Sequence, residues 1–144
     1  MSNSSIICID ASVVVRYVLQ PDNESLQKLW GTWVSKEVRL IAPSLLFYEV
    51  TNALYQHQKN KLLSPETIWQ TLELTLDLPI NLVNEAKLHI RAREIAMEYN
   101  LSATYDAHYL ALAEWMNVDL YTADTRLVNS LKPFKVKWVK SIEP

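Results

Sequence analysis

Short unbroken apolar runs alternate along this chain with longer segments in which apolar residues recur every three or four positions. Residues 5–9 (SIICI) form a continuously apolar, β-rich run, the pattern of a central strand covered on both faces. Asp10 ends it. Residues 11–19 (ASVVVRYVL) fit strand or helix by propensity, and helix is the better reading, with Asp10 as cap and Pro21 as stop. Residues 22–35 place Leu26, Leu29, Trp30 and Trp33 on one helical face, and residues 39–42 predict a second strand. Pro43 and Ser44 open a longer helix, LLFYEVTNALYQHQ, ending near Asn60. Ser64-Pro65-Glu66 is a helix start, with serine as cap and proline in the first turn, and that helix runs to about Leu76. Residues 79–83 predict a strand, and Asn84 caps a helix over 85–99. A helix over residues 105–116 follows; Asn117 breaks it, residues 118–122 read as a strand, and another helix starts near Asp124. Residues 137–139 close the chain as a last strand, placed at an edge.

This alternation predicts an α/β fold: a three-layer α/β/α sandwich around a mostly parallel sheet of about five short strands. Ligands of such sheets bind at the carboxyl ends of the strands. Asp10 and Asp124 both fall just past predicted strand ends, so the fold is expected to bring them to one edge.

At 144 residues the chain reads as one domain, 1–144, without repeats or a linker. Fourteen basic residues against sixteen acidic ones give a net charge of -2, which excludes a general basic coat for nucleic acid and makes any such contact local. The lone Cys8 cannot form an internal disulfide, which fits a reducing compartment. The N-terminal MSNSSIICID has no basic region, no run approaches membrane-spanning length, and the expected home is the cytoplasm.

Four acids stand in apolar surroundings. Glu49 lies inside LLFYEVTNAL, where burying an unpaired carboxylate is expensive; a salt bridge or an exit to solvent is its structural alternative. Asp10 lies between IICI and ASVVV, Asp106 in the first turn of its helix, and Asp124 beyond a strand. Taken singly, each aspartate has a structural explanation, as a helix cap or a partner of the helix dipole. Gathered at one sheet edge, four carboxylates stay ionised together only around a cation, and all-oxygen ligands select Mg²⁺ or Mn²⁺. Zinc fits poorly, because Cys8 is alone and His57, His89 and His108 show no paired spacing. A carboxylate-held ion of this kind meets phosphates and activates water.

The set IICIDAS, PSLLFYEVTNAL, TYDAHYLALA and YTADTRL resembles the PIN-domain ribonucleases, especially the VapC-like toxins of prokaryotic toxin–antitoxin pairs. The resemblance covers nearly the whole chain in the family's order. It implies a PIN-like fold and a Mg²⁺- or Mn²⁺-dependent endoribonuclease, with Asp10, Glu49, Asp106 and Asp124 as catalytic and metal-binding acids. It implies supporting hydroxyls at Ser12 and Thr122, for which local backbone bonding is the structural alternative. It also implies a small antitoxin partner and a homodimer. Arg16 and Arg126 are candidate RNA contacts, although a solvated arginine is the plainer reading of each. His108 reads as a surface or packing residue. Trp30 and Trp69 are candidates for partner contact, against core packing. Some relatives carry a further acid after the fourth; TRLVNS has none. Three other functions compete: a silent PIN-like RNA- or protein-binding module, an RNA-processing nuclease without an antitoxin, and a phosphoryl-transfer enzyme with Asp10 as nucleophile. The filled acid set disfavours the first. The absence of an Asp-x-Asp pattern, since Ala11 and Ser12 follow Asp10, disfavours the last.

Overall fold

The structure, a computed structural model, describes residues 5–142; residues 1–4, where the N-terminal stretch read above begins, lie outside it. Five strands, β1 (Ile6–Ile9), β2 (Arg39–Pro43), β3 (Ile80–Val83), β4 (Leu120–Thr122) and β5 (Val139–Ser141), form one sheet in the order β3-β2-β1-β4-β5. Every neighbouring pair is parallel, so each return to the sheet passes through helix. Helices α1 (Ala11–Leu19) and α2 (Glu24–Ser35) link β1 to β2, and α3 (Leu46–Lys59) and α4 (Pro65–Leu76) link β2 to β3. Helices α5 (Ala86–Glu98) and α6 (Tyr105–Met116) lead to β4, and α7 (Thr125–Leu131) with the 3-10 turn Lys132–Phe134 leads to β5. The α/β sandwich expected from the alternating runs is present, with all of its strands parallel. The last strand sits two residues later than expected, at the edge of the sheet.

Side chains alternate across a strand, and both faces of β1 are covered. The Cys8 thiol donates to the Tyr109 carbonyl of α6 at 3.8 Å. Tyr121, in register with Ile9, meets Trp33 of α2 edge-on on the opposite face, with ring centroids 5.1 Å apart. That two-sided cover is why β1 is an unbroken apolar run. Burial also pushes the Cys8 thiol well above its ordinary pKa, which keeps it an inert packing group. Trp30 is buried and stacks on Tyr17 of α1 at 4.0 Å, so the expectation of a partner contact at Trp30 is corrected: it joins α2 to α1. Trp69, by contrast, is exposed.

Helix α6 is the inner helix. Ala107 and the run from Tyr109 to Ala113 are all fully buried, and α6 packs on α5, β1 and β2. Truncating Leu110 leaves a hole that close-packed neighbours fill only in part, so Leu110→Ala is expected to cost about 2–5 kcal/mol, read as a lower urea midpoint with an unchanged slope.

Several element boundaries differ from the sequence reading. Pro43 is the last residue of β2 rather than a helix opener, in register with Val83, and α3 begins at Leu46. Glu85, not Asn84, holds the cap position of α5, without a side-chain cap bond. With one glycine in the chain, helices stop at other left-handed residues. Asn117, at φ 55°, ends α6 as expected, and the Val118 N–H returns to the Ala113 carbonyl at 3.0 Å.

After β1 the chain fills one side of the sheet with β2 and β3, then crosses to β4 and β5 on the other. The crevice outside β1 and β4 is therefore the point where strand order reverses, the place where parallel sheets bind ligands.

Candidate active site

Asp10 leaves β1 and Asp124 follows β4 at that crevice. The Asp10 N–H donates to the Tyr121 carbonyl at 3.0 Å, tying the two strand ends together. Asp10 stands at the cap position of α1 but makes no side-chain cap bond, which corrects its reading as a helix cap. Its Oδ2 instead accepts from the Ser12 hydroxyl at 2.6 Å and the Thr122 hydroxyl at 2.9 Å. Both hydroxyl oxygens are fixed in turn by backbone: Ser12 Oγ accepts from the Ala123 N–H at 2.9 Å, and Thr122 Oγ1 from the Asp124 N–H at 3.0 Å. Local backbone bonding and contact with the acid thus hold together in Thr122, whereas the backbone partner of Ser12 comes from the far end of β4. Asp124 does cap its helix, Oδ1 accepting from the Arg126 N–H at 2.9 Å.

Glu49 and Asp106 come from the first turns of α3 and α6. Glu49 has no salt bridge among the described residues. Its Oε1 accepts from the Tyr109 hydroxyl at 2.6 Å, and Tyr109 is fully buried. The tyrosine gives the carboxylate a fixed donor without cancelling its charge.

The electrostatics tie the four acids into one group. Burial first, with Asp10, Asp106 and Asp124 adding to it and the Tyr109 bond opposing, pushes the Glu49 pKa up to about 7. Burial likewise pushes Asp106 up to about 6, with Asp10 and Asp124 adding to it and Arg126 opposing. Asp10, 4% exposed, is raised mainly by burial, against its two hydroxyl bonds. Glu49, Asp106 and Asp124 line a pocket of about 350 Å³ together with Tyr105, Ser102 and Arg126, while Asp10 is buried and is not among the lining residues.

Among the described residues no three His, Cys, Asp or Glu side chains are drawn together into a finished metal cage. The acids ring a shared space, as mutually repelling carboxylates do. The donor set fits a hard divalent cation: it is all oxygen, buried or half-buried, and neighbouring carboxylates add to the raised pKa values of Asp10, Glu49 and Asp106. One oxygen each of Asp10, Glu49 and Asp124 is held by the protein, which fixes the groups while leaving a second oxygen on each carboxylate.

The sequence model of the PIN domain matches residues 7–130. The chain belongs to the PIN-domain family. Members of this family are generally nucleases, and those nucleases generally use divalent metals. Two solved structures share the fold. One is PAE2754 from Pyrobaculum aerophilum, with TM-score 0.67 and 21% identity over 98% of this chain and 92% of that one. The other is VapBC2 from Rickettsia felis bound to a DNA fragment from their promoter, with TM-score 0.71 and 13% identity over 96% of this chain and 99% of that one. No curated protein matches.

In this PIN domain Arg16 Nη2 lies 3.5 Å from the Ala123 carbonyl, while Nη1 is buried without a partner among the described residues, an unusual state for a guanidinium nitrogen. Arg126 is almost wholly exposed, its Nε 3.9 Å from Asp124 Oδ1, a weak contact in water. His108 packs against His89, with Nε2 2.9 Å from His89 Nδ1, and its Nδ1 lies 2.7 Å from the Thr104 carbonyl. Sequence spacing missed that histidine pair, nineteen residues apart on α5 and α6. It also took Tyr109 for a plain core position. The available signal was a tyrosine one turn after Asp106 on an apolar face, since a buried phenol needs a partner.

Proposed function

We propose that this PIN domain, working as one domain over residues 1–144, is a Mg²⁺- or Mn²⁺-dependent endoribonuclease and the toxin of a toxin–antitoxin pair. The observation that supports the reading most is the quartet itself: Asp10, Glu49, Asp106 and Asp124 share one crevice, where burial and neighbouring carboxylates raise the cost of ionising Asp10, Glu49 and Asp106, while Ser12 and Thr122 hold Asp10 and Tyr109 holds Glu49. A hard divalent cation bound there supplies Lewis-acid stabilisation of phosphate charge and an activated water. Asp10 and Asp106 are its proposed direct ligands, with Glu49 and Asp124 direct or through water. Ser12 and Thr122 orient Asp10. Arg16 and the exposed Arg126 are its proposed phosphate contacts.

The test is cleavage of single-stranded RNA with Mn²⁺ or Mg²⁺, and with EDTA. Cut fragments that need the metal support the reading; a protein inert on varied RNAs with both metals contradicts it. Ser12→Ala and Thr122→Val each remove one donor to Asp10 Oδ2, and each is expected to lower cleavage or metal affinity about 10- to 100-fold while leaving a folded protein. Circular dichroism together with cleavage rates checks this.

The antitoxin and homodimer parts of the proposal are supported by the likeness to VapBC2 and by a surface that has large apolar groups to cover. Tyr55, Leu62, Trp69 and Leu74, on α3, α4 and the turn between them, are all more than half exposed. Measured molar mass, alone and with the small protein encoded beside this chain, tests both; a monomer indifferent to that protein contradicts them.

A further inference from the structure

Tyr48 and Tyr105 are among the most exposed aromatic residues of the described chain, 77% and 62%, and nothing in the packing accounts for them. Each immediately precedes one of the helix-borne acids: Tyr48 is followed by Glu49 on α3, and Tyr105 by Asp106 on α6. Both line a second pocket, of about 410 Å³, whose wall also includes Leu45, Leu88, His89 and His108. Tyr105 lines the acidic pocket as well, so the two spaces share a wall. The second pocket is mainly apolar, with Ser44, Asn84 and Glu85 as polar groups at its border.

We propose that this pocket receives one unstacked nucleobase of a single-stranded RNA, the base next to the phosphodiester lying over the acids. The inference rests on the nuclease reading for the identity of the strand. It answers a question that reading leaves open: how an acidic protein with a net charge of -2 and two arginines proposed to meet phosphate holds a polyanion. Stacking supplies affinity without charge and exposes the phosphate to the neighbouring acids. Unpaired bases are commonly held on aromatic faces in this way, with polar groups reading their edges. The histidine pair makes the wall rigid. With His108 neutral, its Nδ1–H donates to the Thr104 carbonyl and its Nε2 accepts from His89 Nδ1–H, so both rings are fixed. Because the grip is by stacking, the salt dependence is shallow: two phosphate contacts give a slope of log affinity against log salt of roughly -1.4.

The test uses a short single-stranded RNA with 2-aminopurine at successive positions, bound to the full chain carrying Asp10→Asn so that it stays uncut. The expected result is fluorescence quenching at one position only. Adding Tyr48→Ala or Tyr105→Ala removes the quenching and weakens binding about 5- to 100-fold, and Tyr→Phe at either site restores both. In the chain with Asp10 intact, the same alanine variants raise KM and leave kcat within about threefold. Alanine variants that bind and quench like their background overturn the pocket assignment. If quenching follows the tyrosines but the unsubstituted protein cuts no RNA, the pocket stands and the nuclease reading is the part that fails.

Discussion

Asp10→Asn is expected to lower RNA cleavage by at least about 10³-fold while raising the melting temperature of the metal-free protein. The two effects have one cause. Asp10 is 4% exposed, and burial works against its charge; asparagine keeps an oxygen for the Ser12 and Thr122 hydroxyls and removes the charge. Relief on the order of 1 kcal/mol shifts Tm by roughly 3–5 °C for a chain of this size. Activity is expected to be lost because the carboxylate is the deepest negative group of the proposed cation site. Scanning calorimetry in EDTA and a timed cleavage assay check the pair of outcomes. A variant that is inactive and also much less stable makes Asp10 a structural residue; a variant as active as the parent removes it from the chemistry.

Magnesium is expected to stabilise the protein strongly, and more so at high pH. The Glu49 pKa rises from 4.5 to about 7 on folding, and that of Asp106 from 3.8 to about 6. Between those values the folded protein holds protons that the unfolded chain has released. Their contribution to stability is complete below the unfolded pKa values, near pH 4, and is lost as pH rises through about 6 to 7. Both groups are half-buried, so solvent screening reduces the size of the loss without changing its sign. A cation reverses it, because it binds the deprotonated carboxylates. At 100 times its Kd, Mg²⁺ adds about 2.7 kcal/mol, a Tm rise of roughly 8 °C. Thermal melts with EDTA or Mg²⁺ at pH 5 and pH 8 read this directly. A shift that is absent, or equal at the two pH values, contradicts the account.

The architecture was legible because this chain keeps its levels consistent. The run IICI is apolar on both faces because α6 and α2 cover it from opposite sides, and Ser64-Pro65-Glu66 starts a helix by local chemistry alone. The acids were legible for a related reason: carboxylates amid apolar residues break the pattern, and the breaks fall where the sheet's order reverses. What stayed hidden depends on distance along the chain. The bond from Tyr109 to Glu49 spans sixty residues, and the contact between His89 and His108 joins two helices whose separate patterns say nothing of it. Asp10 misled by a local rule. A cap position is readable from sequence, but the pull of Ser12 and Thr122 on the side chain is not, because Thr122 arrives from β4. Trp30 and Trp69 look alike as aromatics in helices, yet only the three-dimensional packing buries one and leaves the other in solvent.

The most direct measurement is anomalous diffraction from crystals grown with Mn²⁺. The account predicts a manganese peak in the crevice beyond β1 and β4, within coordination distance of Asp10 and Asp106 oxygens and in direct or water-bridged contact with Glu49 and Asp124. Manganese bound only at other surfaces, with these four carboxylates unmoved and unliganded, contradicts it.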